Sequence, residues 1–116
     1  MSDIVISIGK DFSEYPAGRT RRDGENSAQR FREDVLVPAL RKAIAGGGRV
    51  VVKLDGVFAY SSSFLEEAFG GLARNHGFTS QQLRGSLLVT TDDPLYASVA
   101  LDANQYLNEE IERVAA

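Results

Sequence analysis

Isoleucines at 4, 6 and 8 alternate with Val5, Ser7 and Gly9. This is the period-two pattern of a strand, apolar on one face throughout and on part of the other. The next stretch, "KDFSEYPAGRTRRDGENS", contains Pro16, Gly18 and Gly24 among dense charge and has no sustained period, so it reads as loop. Within it Phe12 and Tyr15 suggest a short edge strand. Ser27 then stands as an N-cap before Phe31, Val35, Leu36, Leu40, Ala43 and Ile44, spaced by threes and fours up to the glycines at 46 to 48. That spacing predicts an amphipathic helix ended by glycine. Pro38 falls inside it, lacking a donor and crowding the carbonyl four residues back, so a kink or restart is expected there.

"RVVVKL" at 49 to 54 is short, β-branched and bounded by Gly48 and Gly56, as in a strand buried on both faces, and it is the expected centre of the sheet. After three consecutive serines, Phe64, Leu65, Ala68, Phe69 and Leu72 share one helical stripe that ends near Gly77. "GSLLVTT" at 85 to 91 repeats the strand signature, and Asp93-Pro94 opens a final helix through Leu95, Val99, Leu107 and Ile111. Strands alternating with helices predict crossover connections and an α/β fold: a central mixed sheet of about four strands with helices packed on it.

A chain of 116 residues is sized for one domain, 1 to 116. A formal charge of −3 provides no overall field for nucleic acid or an anionic membrane, so nucleic acid and membrane are not expected partners. With no cysteine, disulfides, thiolate metal sites and cysteine nucleophiles are excluded, and a cytoplasmic location is the expectation. No cofactor motif is present: "GRTRRDG" is not followed by the lysine-serine or lysine-threonine of a phosphate loop, and "AGGGR" leads into a strand.

His76 is the sole histidine, so any Ser-His-Asp arrangement would have to use it. Beside Gly77 it reads instead as a helix C-terminal residue facing exposed carbonyls. Glu66–Glu67 and Glu109–Glu110 are adjacent on helices and diverge, which leaves them as solvated charge. Two features remain. Arg19, Arg21 and Arg22 lie in the early loop, where guanidinium groups suit bidentate anion binding. Ser61, Ser62 and Ser63 open a helix, where a hydroxyl caps and a phosphate is stabilised by unpaired N–H groups. Ser63 with Glu66 fits the Ser-x-x-Glu capping box, which leaves Ser61 and Ser62 at the rim.

The block "VVVKLDGVFAYSSSFLEEAFGGL", with "RFREDVLVPAL" upstream, resembles the STAS-like domains of unknown function found in bacteria and their mobile elements. More distantly it is similar to the STAS domains of anti-sigma-factor antagonists. In those, a buried strand leads through Gly-Val, two apolar residues and Asp-Ser-Ser-Gly-Leu into a helix. Gly56 and Val57 match the turn, Ser62 and Ser63 the paired serines, and Leu65 the leucine. Ser61 stands where the antagonists have aspartate and Phe64 where they have glycine. The resemblance implies a cytoplasmic, non-enzymatic regulatory module that binds a protein partner. That partner would be a serine kinase of the histidine-kinase-like ATPase type, with Ser62, or its neighbour Ser61, as phosphoacceptor.

On this reading Val57, Phe58, Tyr60, Ser63 and Glu66 form the partner surface. The alternative is a small anion- or ligand-binding regulatory domain in which the Arg19 to Arg22 loop closes over the serine-rich helix start. An exposed edge near Phe12 would also permit self-association.

Overall fold

The three β-branched runs are separated by long helical segments, which rules out hairpins between them and leaves crossover pairing. The computed structural model, which describes residues 3–115, shows that pairing. β1 (Ile4–Ser7), β2 (Val50–Lys53) and β3 (Leu87–Thr90) form one sheet in the order β1-β2-β3, both pairs parallel. Ile6, Val52 and Val89 fall in one register row and are all buried, while the next row, Val5, Val51 and Leu88, faces the other side with Val5 and Leu88 exposed. β2 is the centre, as its flanking glycines and unbroken valines predict.

Helix α1 runs over 28–46, α2 over 62–75, α3 over Ser80–Ser86 and α4 over Ala97–Ala115. Ser27 caps α1, its hydroxyl accepting from the Arg30 N–H at 3.2 Å. The middle of α1, Phe31–Leu36, is wound in the wider π form and regular α turns resume at Val37. Pro38 therefore sits at the start of the resumed turns, where a missing donor costs least. Gly47 ends the helix in the left-handed region at φ 73°, donating to Ala43 and Ile44 carbonyls.

Two expectations fail. The sheet has three strands among the described residues, all parallel, where a mixed sheet of about four was expected. The missing strand is the one expected around Phe12 and Tyr15: Ile8–Phe12 instead winds into one wide helical turn. The reason lies in Phe12, whose ring packs 5.3 Å from Phe31 and 6.5 Å from Phe64 with the Arg30 guanidinium over it. Packing that partly buried ring against the aromatic core outweighs pairing a polar edge, and the self-association expected through that edge loses its strand. The unanticipated helix is α3, opened by a Thr79–Gln82 capping box that was readable in "TSQQ".

The core lies between the sheet and the helices, centred on fully buried Phe31, Phe64, Phe69, Leu36, Leu40 and Leu72. At the C-terminal ends of β1 and β2 the backbone passes itself closely: a methyl group on Gly9 would stand 2.3 Å from the Gly56 carbonyl oxygen. That crossing sets the loop from which the serine run is displayed.

Candidate functional site

After β2 the chain turns at Asp55-Gly56, with Gly56 at φ 78°, and its path is then pinned by three contacts. Tyr60 donates its hydroxyl to the Leu54 carbonyl at 2.7 Å, Tyr96 donates to the Val57 carbonyl at 2.6 Å, and the Phe58 N–H donates to the Glu14 carbonyl at 2.8 Å. Asp55 accepts from the Thr91 hydroxyl at 3.0 Å and the Asp92 N–H at 3.1 Å, joining the loop after β2 to the loop after β3. A segment tied at so many points has a backbone path that is set before any partner binds.

Val57 is buried, so it belongs to the core and offers no contact to a partner, contrary to its place in the expected surface. Tyr60 is half-buried with its hydroxyl turned inward, and burial raises its phenol pKa well above the ordinary value. Phe58 is the exception, 83% exposed and stacked obliquely on exposed Tyr15 at 5.9 Å between ring centres. Tyr15 was legible only as an edge-strand residue, because its pairing with Phe58 depends on two segments more than forty residues apart.

The cap is Ser61 rather than Ser63. Ser61 has extended backbone at φ −95° and ψ 152°, and its hydroxyl accepts from the Phe64 N–H at 3.1 Å. Ser63 already lies within the first turn, where its hydroxyl is 3.2 Å from that of Ser61, so the Ser63–Glu66 capping box does not form. Glu66 is engaged elsewhere: Arg74 meets it at 2.6 Å and Arg19 at 2.7 Å. Arg74 first and then Arg19 draw its carboxyl down to about 2. Ser62 is left exposed at the first helical position, with the cap supplied by its neighbour.

The arginine loop does not close over the serines. Thr20 and Asp23 form a capping box that shapes Arg21–Asp23 into a short turn. Arg21 is drawn to α1, with Asp34 at 2.8 Å and Glu33 at 3.2 Å, and Arg22 is exposed. Only Arg19 reaches α2, where Glu66 and Glu67 already receive it. The three guanidinium groups therefore do not converge on one anion.

Sequence reasoning missed the most buried charge. Arg32 is 3% exposed, and its Nη1 donates to the Glu67 carbonyl at 2.7 Å and to the Glu67 carboxylate at 2.8 Å. Nothing in the local pattern of "RFRED" distinguishes Arg32 from Arg30. Its partners lie on α2, and the space it fills is opened by Gly71, where a methyl group would stand 2.4 Å from Nη1.

Arg32 Nε also donates to His76 Nε2 at 3.0 Å, so His76 serves as a neutral acceptor rather than as a cation for helix carbonyls. Burial lowers the His76 pKa from 6.5, with Arg32 and then Arg41 adding to the effect and Glu33 opposing it. Just below pH 6.5 the folded chain thus binds fewer protons than the unfolded chain. Stability contributed here is complete above about pH 6.5 and declines as pH falls from there to the folded pKa. Urea midpoints measured from about pH 8 to about pH 5 should fall through this window. The fall should shrink in His76→Gln; an identical curve for that variant would refute the assignment.

Among the described residues, no three histidine, aspartate or glutamate side chains are grouped to hold a metal ion, and no helix is long and apolar enough to cross a membrane. A family model described as a STAS-like domain of unknown function (DUF4325) matches residues 27–96, from the cap of α1 to Tyr96 beside the pinned loop. The chain belongs to this STAS-like family. No curated protein and no solved structure matches it. The matched span of the STAS-like domain holds α1, β2, α2, α3 and β3, and with them the serine run.

Proposed function

We propose that this STAS-like domain is a non-enzymatic regulatory module that docks a protein partner through the loop at 56 to 63 and is switched by phosphorylation of Ser62. The observation that carries the reading is the division of labour among the serines. Ser61 holds the helix start while Ser62 stands exposed beside it, so a phosphate can be added without removing the cap. At the first turn of a helix the added charge, nearly two units at neutral pH, is favoured by the dipole and the unpaired N–H groups. A serine kinase of the histidine-kinase-like ATPase type is the partner that the family resemblance supports. The work of the module is binding, in the cytoplasm of a bacterium.

The test separates cap from acceptor. Incubated with such a kinase and ATP, the chain is expected to gain one phosphate by intact mass. Ser62→Ala should abolish the gain with little loss of stability. Ser61→Ala should keep the gain and lose about 1 kcal/mol of stability by urea unfolding, the usual cost of deleting a helix cap. A mass that stays unchanged, or a phosphate that persists in Ser62→Ala, would sink the switch.

A further inference from the structure

The pinned loop places bare apolar surface inside an acidic frame. Three of the most exposed large apolar side chains stand at the edge of the molecule where the strands end: Phe58 at 83%, Leu95 at 84% and Tyr15 at 65%. Tyr15 stacks on Phe58, and Leu95 precedes Tyr96, whose hydroxyl ties the loop after β3 to the Val57 carbonyl just before Phe58. The backbone at Leu95 is tied as well, its N–H donating to the Asp93 carboxylate at 3.0 Å. Fixed, exposed aromatic side chains lose little entropy on binding, which makes them strong anchors.

Around these anchors the charge is predominantly negative. Beside Phe58 an open groove of about 440 Å³ runs between the ends of β1 and β2, with Glu14 and Asp55 among its lining residues and Lys10 the one cation among the described residues that line it. Asp93 continues the acidic edge toward Leu95, while Asp92 and Lys53 neutralise each other as an ion pair. An exposed apolar patch rimmed by carboxylates selects against an acidic partner and favours one that carries cations beside its own apolar groups. Arginine suits both parts, since its guanidinium pairs with carboxylates and also stacks on an aromatic face.

We infer that the docking surface receives an arginine-bearing apolar segment of a protein partner, its guanidinium entering the groove at Glu14 and its apolar groups covering Phe58, Tyr15 and Leu95. The inference rests on the reading of this loop as a docking surface and adds the chemistry of what docks. It does not depend on Ser62 being phosphorylated.

Two synthetic peptides test it, equal in length and in leucine and phenylalanine content, one with arginine wherever the other has glutamate. Titrated into the ¹⁵N-labelled chain, the arginine peptide should shift the amide signals of Tyr15, Gly56, Phe58 and Leu95. It should bind at least about tenfold more tightly than the glutamate peptide, the factor that about 1.4 kcal/mol produces. Phe58→Ser should abolish the shifts, and Glu14→Gln should weaken binding severalfold and flatten its dependence on salt. Equal binding of both peptides at this loop would overturn the arginine partner while leaving the docking surface in place. Shifts elsewhere, or none with either peptide, would overturn both. Concentration-dependent shifts of the same residues without peptide would overturn it in favour of a second copy of the chain.

Discussion

Gly9→Ala is expected to destabilise the chain by about 3 kcal/mol or more, at the upper end of the range for overpacking a well-filled site. The new methyl group would lie 2.3 Å from the Gly56 carbonyl oxygen and 2.8 Å from that of Asp55. Both obstacles are backbone, so no side-chain rotation relieves them, and Gly56 itself is committed to a turn at φ 78°. The loops after β1 and β2 must separate, which pulls on the segment that carries Phe58 and the serines. Gly85→Ala is the matched control. Gly85 lies in helix α3 with open space around its would-be methyl group, and the substitution should be neutral or stabilise by up to about 1 kcal/mol. Urea unfolding of the two variants decides the point: similar stabilities would mean that the two loops do not cross as described.

The second large effect is expected at Arg32. Arg32→Ala removes a guanidinium that serves the Glu67 carbonyl, the Glu67 carboxylate and the His76 ring, in a position 3% exposed. Breaking a buried pair from one side leaves groups that neither water nor a neighbour fully satisfies, at a cost of about 3 to 5 kcal/mol. Arg32→Lys should recover little, because a single ammonium cannot reproduce the forked donors. Arg19→Ala provides the contrast. Arg19 also pairs with Glu66 and Glu67, but its side chain is 44% exposed, and the loss should be at most about 1 kcal/mol. Gly71 offers a further check on the geometry. Gly71→Ala should be destabilising alone, because the buried Arg32 guanidinium it meets at 2.4 Å must shift off its Glu67 partners, and less so in the Arg32→Ala background, where only the Glu67 carboxylate at 3.1 Å stays close. Thermal or urea midpoints for the four-variant cycle measure that coupling, and additive effects would contradict it.

Local periodicity was sufficient for much of the fold. The alternating isoleucines, the unbroken valines of β2, the Ser27 cap, the glycine after α1 and the Asp93 cap before Pro94 are all short-range signals, and each appears where the pattern places it. The Phe12 segment shows where such signals stop, because the ring that rules out an edge strand is held by Phe31 and Phe64, residues of two different helices. The serine run was legible to within two residues. Its chemistry as a helix start follows from the residue types, but which serine caps depends on where the helix begins, and that is set by the chain's anchoring at Leu54, Val57 and Glu14.

Short-range pattern therefore sufficed for the three strands, for α1, α2 and α4 between and after them, for the central place of β2 and for a polar helix start after it, because apolar spacing and capping act over a few residues; α3 was not read from it. Only the tertiary structure decided that Val57 turns inward and Phe58 outward, that Ser61 caps and Ser62 stands free, and that Arg32 is buried over Gly71. Those outcomes depend on distant segments competing for the same space and the same hydrogen bonds, and such competition leaves no periodic trace along the chain.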